Sequence, residues 1–248
     1  MLVDWCDFAR WYRDFFDRCA LLVNFVDPSN LGSASMISLI LKDLSVRLDE
    51  KKILDGINAT FYGGEIVSVI GQNGSGKTTL FNIMYGTCTA ENSFVRIDGN
   101  VVSGKAFRGG LLGYLPQNDF FPAHLRIREV FSLLPQWRVD RKDETLVRVW
   151  ETRAGELSGG ELRYLEIMYL LWSGFKYLIL DEPFSGLAPV MVERLCGILK
   201  EHSKTAGIMI ADHDYRSVAG LVNRHFMLDS GELREISSFD ELKGVYFL

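Results

Sequence analysis

Cysteines are few in this sequence, and no two of them form a closely spaced pair. The 248 residues include four, Cys6, Cys19, Cys88 and Cys196, without a CxxC spacing. Scattered cysteines of this kind indicate free thiols in a reducing compartment, and they argue against a disulfide framework or a zinc site.

Long apolar runs are also missing. No stretch of about 18 uncharged apolar residues occurs, so we expect no membrane span. The first residues are acidic and aromatic rather than basic, so we expect no secretory signal peptide. These two expectations place the chain in the cytoplasm.

Neither sign of charge dominates the composition. The sequence has 27 lysines and arginines against 32 aspartates and glutamates, a net charge of −5. This balance argues weakly against broad nucleic-acid binding, although it is compatible with a local basic patch, and no nucleic-acid partner is expected. Apolar residues make up 48% of the chain, enough for a sizeable core.

Residues 1–35 differ from the rest and are assigned to an N-terminal amphipathic helical extension and linker. Apolar side chains recur there at steps of three and four, on one helical face: Trp5, Phe8, Tyr12, Phe15, Cys19, Leu22 and Val26. The opposite face mixes acidic and basic residues, which argues against attraction to anionic lipid. The alternatives are a helix that docks on a partner or a membrane surface, a helix that lies on its own domain, and a segment upstream of a true start at Met36; the last two are favoured.

From residue 36 to residue 248, short apolar runs alternate with helical patterns. The runs cover residues 37–46, 53–61, 66–70, 111–115, 177–180, 208–211 and 226–228, and the helical patterns cover 78–85, 162–172 and 190–200. This alternation predicts an α/β fold. The five residues 66–70 indicate a strand buried on both faces, as in a parallel sheet.

The sequence GQNGSGKT, residues 71–78, follows that strand and fits G-x-x-x-x-G-K-[ST] with a helix after it. The N–H groups at a helix start carry partial positive charge, and glycines let the backbone approach phosphate oxygens closely. Lys77 would add a full charge against the β- and γ-phosphates, and the Thr78 hydroxyl would hold Mg²⁺. The alternative, a glycine-rich turn with an exposed lysine, does not need this strand-loop-helix context.

The sequence YLILDEP, residues 177–183, ends an apolar run in two carboxylates. Such a run places Asp181 at the carboxyl edge of the sheet, where ligands bind in open α/β sheets. We predict that Asp181 holds Mg²⁺, through water, and that Glu182 aligns an attacking water and accepts its proton. The alternative is a surface turn after a strand, which the phosphate loop makes less attractive.

The sequence LSGGE, residues 157–161, begins the helical pattern of residues 162–172. Ser158 and Glu161 alone fit an ordinary capping box. Two consecutive glycines weaken a first turn, however, and they favour a second anion-binding helix start.

Together these motifs resemble the nucleotide-binding subunit of an ATP-binding cassette (ABC) transporter, from residue 37 to the C-terminus. The resemblance rests on five motifs in that family's order, since YLPQND supplies Gln117 as the Q-loop glutamine and IADHD supplies His213 as the switch histidine. It implies a P-loop ATPase of ABC type, with a mixed-sheet core and a small helical subdomain at about residues 118–160.

The resemblance also implies a mechanism. Two cassettes, identical or different, stack head to tail, and ATP lies between the phosphate loop of one and Ser158, Gly159, Gly160 and Glu161 of the other. Gln117 contacts Mg²⁺ and the attacking water, while His213 contacts the γ-phosphate. The expected ATP-binding residues are Gly71, Gln72, Asn73, Gly74, Ser75, Gly76, Lys77, Thr78, Thr79 and Leu48. Separate transmembrane permease subunits complete the assembly, at the inner face of the cell membrane.

Three departures from the family pattern stand out. Leu48 occupies the position where an aromatic residue usually stacks on adenine, so base selectivity is expected to be loose. Ala188 replaces the aspartate of the turn that crosses the dimer, which predicts slow hydrolysis. The segment between Gln117 and Leu157 is shorter than usual. Two alternatives therefore stay open beside a transport ATPase: a soluble ABC ATPase without a transport role, and a nucleotide-dependent dimerisation module with little turnover.

Overall fold

A computed structural model describes residues 38–48, 51–88, 90, 92–101, 110–135, 138–212 and 220–237. The predicted N-terminal extension and His213 lie outside these residues. The described chain divides into two compact units, a helical unit, Asn118–Gly174, and a sheet unit formed by the described parts of Ser35–Gln117 and Phe175–Leu248. The predicted limit of the helical subdomain, near residue 160, falls inside the helical unit.

The strands all belong to the sheet unit. They are Ser38–Leu48 (β1), Lys51–Tyr62 (β2), Ile66–Ile70 (β3), Asn92–Ile97 (β4), Asn100–Val101 (β5), Leu112–Leu115 (β6), Tyr177–Asp181 (β7), Gly207–Ala211 (β8), Arg224–Asp229 (β9) and Glu232–Ile236 (β10). The helices of this unit are Lys77–Tyr85 (α1) and, numbered after those of the helical unit, Pro189–His202 (α5).

One sheet of this unit is antiparallel, with the order β2-β1-β4-β5. The other is mixed, with the order β10-β9-β3-β8-β7-β6. In the mixed sheet every neighbouring pair is parallel except β9 and β10. The parallel strands β3, β7 and β8 bury all five of their residues, as expected of strands covered on both faces.

The helical unit contains Ile127–Phe131 (α2), Glu144–Val149 (α3), a 3₁₀ turn at Ala154–Glu156 and Gly159–Ser173 (α4). Edge-to-face ring pairs hold its core together, with centroids 6.0 Å apart for Phe121 and Phe131 and 5.6 Å apart for Phe131 and Tyr169. Asp143 caps α3 by accepting a hydrogen bond from Leu146 N at 2.9 Å. The same carboxylate accepts one from the Tyr164 hydroxyl of α4 at 2.6 Å, so it links the two helices.

The predicted α/β class and the parallel setting of residues 66–70 are confirmed. The mixed-sheet core is confirmed too, with a separate antiparallel sheet that the sequence did not predict. No helix within the described ranges has the length and apolar character needed to cross a bilayer.

Candidate functional site

A glycine and three polar residues follow the parallel strands at one edge of the mixed sheet. Gly71 follows β3, Gln117 lies two residues after β6, Glu182 follows β7 and Asp212 follows β8. Because these strands are parallel, their carboxyl ends share an edge, and loops there can converge on one ligand.

The loop between β3 and α1 depends on its glycines. A Cβ at Gly71 would lie 2.6 Å from Leu228 O, closer than packing allows, and Gly76 has a φ of +104° as the N-cap of α1. Both positions therefore require glycine. Ser75 Oγ is buried and has no hydrogen-bond partner among the described residues. The loop thus presents close-packed backbone and an unused hydroxyl, which suits a group rich in acceptor oxygens.

Lys77 lies in the first turn of α1 and points back onto this loop. Its ammonium donates to Gly71 O at 2.6 Å and to Gln72 O at 3.1 Å. Burial lowers the pKa of Lys77, while the carboxylates of Asp181, Glu182 and Asp212 partly oppose that effect. A phosphate anion at the loop would favour the charged form of this lysine.

Thr78 and Asp181, predicted independently from two motifs, touch. Thr78 Oγ1 donates to Asp181 Oδ2 at 3.0 Å, and the buried Tyr114 hydroxyl donates to the same oxygen at 3.4 Å. Asp181 is 2% exposed, so these donors compensate part of the cost of burying its charge. The contact joins the phosphate loop to the acidic end of β7.

Glu182 has a strained backbone conformation. Its φ is +51°, in the left-handed region that residues with a Cβ rarely adopt, and its amide donates to Ala211 O at 2.7 Å. Gln117 Nε2 donates to Glu182 Oε2 at 3.3 Å. With this backbone turn directly after β7, the Glu182 carboxylate lies within hydrogen-bond distance of Gln117, the predicted Q-loop glutamine.

The donor set fits Mg²⁺. Thr78 and Asp181 offer a hydroxyl and a carboxylate oxygen in contact, and Gln117 can add an amide oxygen. The described part of the chain has no group of three or more His, Cys, Asp or Glu that could hold a metal by itself. Mg²⁺ prefers this arrangement, with one or two protein carboxylates and the remaining positions filled by water and phosphate.

Two neighbours of the site were not predicted. Asp212 is 4% exposed and follows β8 as Asp181 ends β7, so a carboxylate directly after a buried strand could have indicated it. Tyr114 is an apolar-run residue of β6, and only the pairing of β6 with β7 brings it near Asp181. Its role has no sequence signal.

The predicted Ser158–Glu161 segment begins α4 in the helical unit. Ser158 is the N-cap: its Oγ accepts from Glu161 N at 3.3 Å and donates to Glu161 Oε2 at 2.6 Å. The capping box is therefore present, and the hydrogen bond from Ser158 is the main cause that lowers the pKa of Glu161. Ser158 and Gly159 are exposed at this helix start.

Leu48 and Ala188 are two further predicted positions. Leu48 ends β1 opposite Lys51, and its side chain lies outside the described structure. Ala188 is the N-cap of α5 and provides no side-chain hydrogen bond there.

A family model described as "ABC transporter" matches residues 54–185 of the chain. The lipopolysaccharide export system ATP-binding protein LptB of Escherichia coli (strain K12) is 30% identical over 239 residues, which are 85% of this chain and 97% of that protein. LptB of Haemophilus influenzae is 29% identical over 238 residues, with the same coverage.

Solved structures show the same fold. An ATP-binding subunit of an ABC transporter superposes with a TM-score of 0.74 at 22% identity, covering 83% of this chain and 92% of that one. A bacterial Atm1-family ABC exporter with ATP bound gives a TM-score of 0.75 at 19% identity, covering 86% of this chain and 41% of that one.

Proposed function

The chain belongs to the ABC transporter family as an ATP-binding subunit with ATPase activity, and from this premise we propose that two cassettes close head to tail over two MgATP molecules. Closing and reopening would drive conformational change in separate membrane permease subunits. The observation that carries the proposal is the Thr78–Asp181 hydrogen bond, which joins the phosphate loop to the acidic strand end in one unit.

The phosphate loop binds the nucleotide. Backbone amides of residues 71–79 face the phosphates, and the Lys77 ammonium leaves Gly71 O and Gln72 O for the β- and γ-phosphate oxygens. Leu48 offers the adenine an aliphatic rather than an aromatic contact. Bound Mg²⁺, held by Thr78, Asp181 and Gln117, would neutralise charge on the β- and γ-phosphates.

Glu182 acts as general base. Its carboxylate accepts a hydrogen bond from Gln117, so the two side chains together can orient a water for attack on the γ-phosphorus. His213, by resemblance to the family, contacts the γ-phosphate. Loss of the γ-phosphate would remove the contact that holds the two cassettes together.

The second cassette supplies Ser158, Gly159, Gly160 and Glu161 to the nucleotide held by the first. The helix start carries partial positive charge, and its two glycines, of which Gly159 is exposed, allow a close approach to the γ-phosphate. The partner cassette is a second copy or a related chain. With permease subunits in the membrane, the cassettes would work at its cytoplasmic face.

The test is ATP-dependent dimerisation of Glu182→Gln, which keeps the shape of the site but removes the base. We expect wild type to turn over ATP, and Glu182→Gln to lose at least about 100-fold in kcat. With saturating MgATP this variant should sediment as a dimer, and Glu182→Gln combined with Ser158→Ala should remain a monomer. Bound ATP in a Glu182→Gln monomer would contradict the shared site.

A second candidate, a dimerisation module with little turnover, is favoured by Ala188 alone. The same experiment separates the two. If wild type dimerises with MgATP but hydrolyses ATP no faster than Glu182→Gln, the chain is a dimerisation module and Glu182 has no catalytic role.

A further inference from the structure

One carboxyl group in the helical unit is completely buried and has no part in the proposed reaction. Glu166 lies in the middle of α4 with 0% of its surface exposed. An ionisable side chain is rarely buried to this extent unless it is paired, because the charge loses its hydration.

The contacts of Glu166 are concentrated on one oxygen. Oε1 accepts two backbone hydrogen bonds, from Phe120 N at 2.5 Å and Phe121 N at 2.9 Å. Oε2 accepts none among the described residues and lies 3.7 Å from Nη1 of Arg163, which is 4% exposed. Glu166 therefore anchors two successive amides of a loop that lies outside the helices and strands.

The anchored loop continues directly from the predicted Q-loop. Phe120 is the third residue after Gln117, and the two phenylalanine rings fill the core of the helical unit at 1% and 6% exposure. The anchor itself belongs to the helix that begins after Ser158, about two turns earlier. One side chain thus links the peptide that leaves Gln117 to the helix that presents Ser158.

We propose that Glu166 is a positioning residue of the ATPase, which fixes the Phe120–Phe121 segment on α4 and holds it more firmly when its carboxyl is protonated. This proposal rests on the proposed function, because it assumes that Gln117 and Ser158 both act on the nucleotide. Rings alone could keep the segment in the core, but they cannot satisfy its two buried amides.

The dependence on the proton follows from linkage. The pKa of Glu166 is raised from 4.5 to about 7, mainly because burial removes the hydration of its charge; the two amides and Arg163 oppose this shift, and Asp119 adds to it. If the segment detaches, the carboxyl is hydrated and its pKa returns toward 4.5. Protonation of Glu166 therefore stabilises the attached segment fully below about pH 4.5, and this stabilisation is lost as the pH rises through about 7.

Hydrogen exchange of the Phe120 and Phe121 amides tests the anchor on the full chain without nucleotide. After correction for intrinsic rates, wild-type protection should fall at least about tenfold between pH 5.5 and pH 8. Glu166→Gln keeps a neutral acceptor, so its protection should stay high at both pH values. Glu166→Ala removes both acceptors and should exchange rapidly throughout.

The matched control is Asp143→Asn. Asp143 is another buried carboxylate of the helical unit, 3% exposed, and it serves Tyr164 and Leu146 instead of the anchored segment. This variant should reproduce the wild-type pH dependence at Phe120 and Phe121. The proposal is wrong if protection in Glu166→Gln depends on pH as it does in wild type. It is also wrong if Glu166→Ala protects the Phe120 and Phe121 amides as well as wild type does.

ATP turnover provides the functional readout. The ratio of kcat for Glu166→Gln to kcat for wild type should rise by about threefold or more from pH 6 to pH 8, with KM unchanged because the phosphate loop belongs to the sheet unit. A constant ratio would overturn the positioning role. Wild-type turnover insensitive to Glu182→Gln would instead contradict the proposed function and leave the exchange result valid.

Discussion

At the scale of single residues, one hydroxyl combines an observed contact with a predicted role. Thr78 is a predicted Mg²⁺ ligand, and it also donates to Asp181, a carboxylate that is 2% exposed. Removing the hydroxyl leaves this buried acceptor with one donor fewer, which typically costs about 1–3 kcal/mol.

Thr78→Val should therefore raise the Mg²⁺ concentration for half-maximal turnover by about tenfold or more, since it removes a ligand and a partner of another ligand. Thr78→Ser keeps the hydroxyl and should stay within about threefold of wild type. Turnover measured against added MgCl₂ gives both values, and metal-free binding of a fluorescent ATP analogue checks that the loop still accepts nucleotide. Equal Mg²⁺ requirements for the two variants would remove Thr78 from the metal site.

Residue types with fixed spacing could be predicted from the sequence, and those that depend on tertiary contacts could not. Asp181 and Glu182 come at the end of an apolar run, and Lys77 and Thr78 begin the helix of a strand-loop-helix motif, so the two motifs place all four at the sheet edge. Tyr114 meets Asp181 only through strand pairing. Glu166 sits inside the helical pattern of residues 162–172, where a lone carboxylate among apolar neighbours was its only sequence signal.

At the scale of elements, the start of α4 is compatible with both interpretations of its sequence, a capping box and an anion-binding helix start. Ser158 caps the helix through Glu161, and it is exposed where the second cassette is proposed to bind phosphate. Substitutions of Ser158 can separate the two interpretations, because capping affects stability and phosphate binding affects turnover.

Ser158→Ala should lower the free energy of unfolding by about 1 kcal/mol, a change in Tm of about 2–4 °C, and reduce kcat at least about tenfold. Ser158→Asn restores a good N-cap, so its Tm should return close to wild type while kcat stays low because the hydroxyl is missing. Calorimetry and steady-state kinetics measure the two effects. Wild-type turnover in Ser158→Asn would show that Ser158 only caps the helix.

Buried strands were predicted well, whereas the shortest helices and an exposed strand were missed. β3 was predicted with its observed limits because five consecutive apolar residues are typical of a doubly covered strand. β10, with the sequence ELREI, is largely exposed and shows no such run. The helices α2 and α3 have five and six residues, too few to display a helical period.

At the scale of the whole molecule, the helical unit is one continuous insertion. The chain leaves the sheet unit after Gln117 and returns at Phe175, and the strands on either side, β6 and β7, pair directly in the mixed sheet. Lys77, Thr78, Asp181 and Glu182 all remain outside the insertion.

A chimera should therefore keep its nucleotide site when Asn118–Gly174 is exchanged for the corresponding segment of the Escherichia coli relative. We expect its affinity for a fluorescent ATP analogue to stay within about threefold of wild type, because the exchanged residues and the phosphate loop belong to different units. Titration of the analogue, with circular dichroism to confirm folding, is the measurement. A folded chimera unable to bind nucleotide would show that the two units are not independent in this respect.

Insertion between two paired strands also has an evolutionary consequence. Selection can change the surface of the helical unit while the residues of the phosphate loop and of the acidic end of β7, all in the sheet unit, stay as they are. A lineage could therefore vary this unit through changes confined to one contiguous stretch of gene.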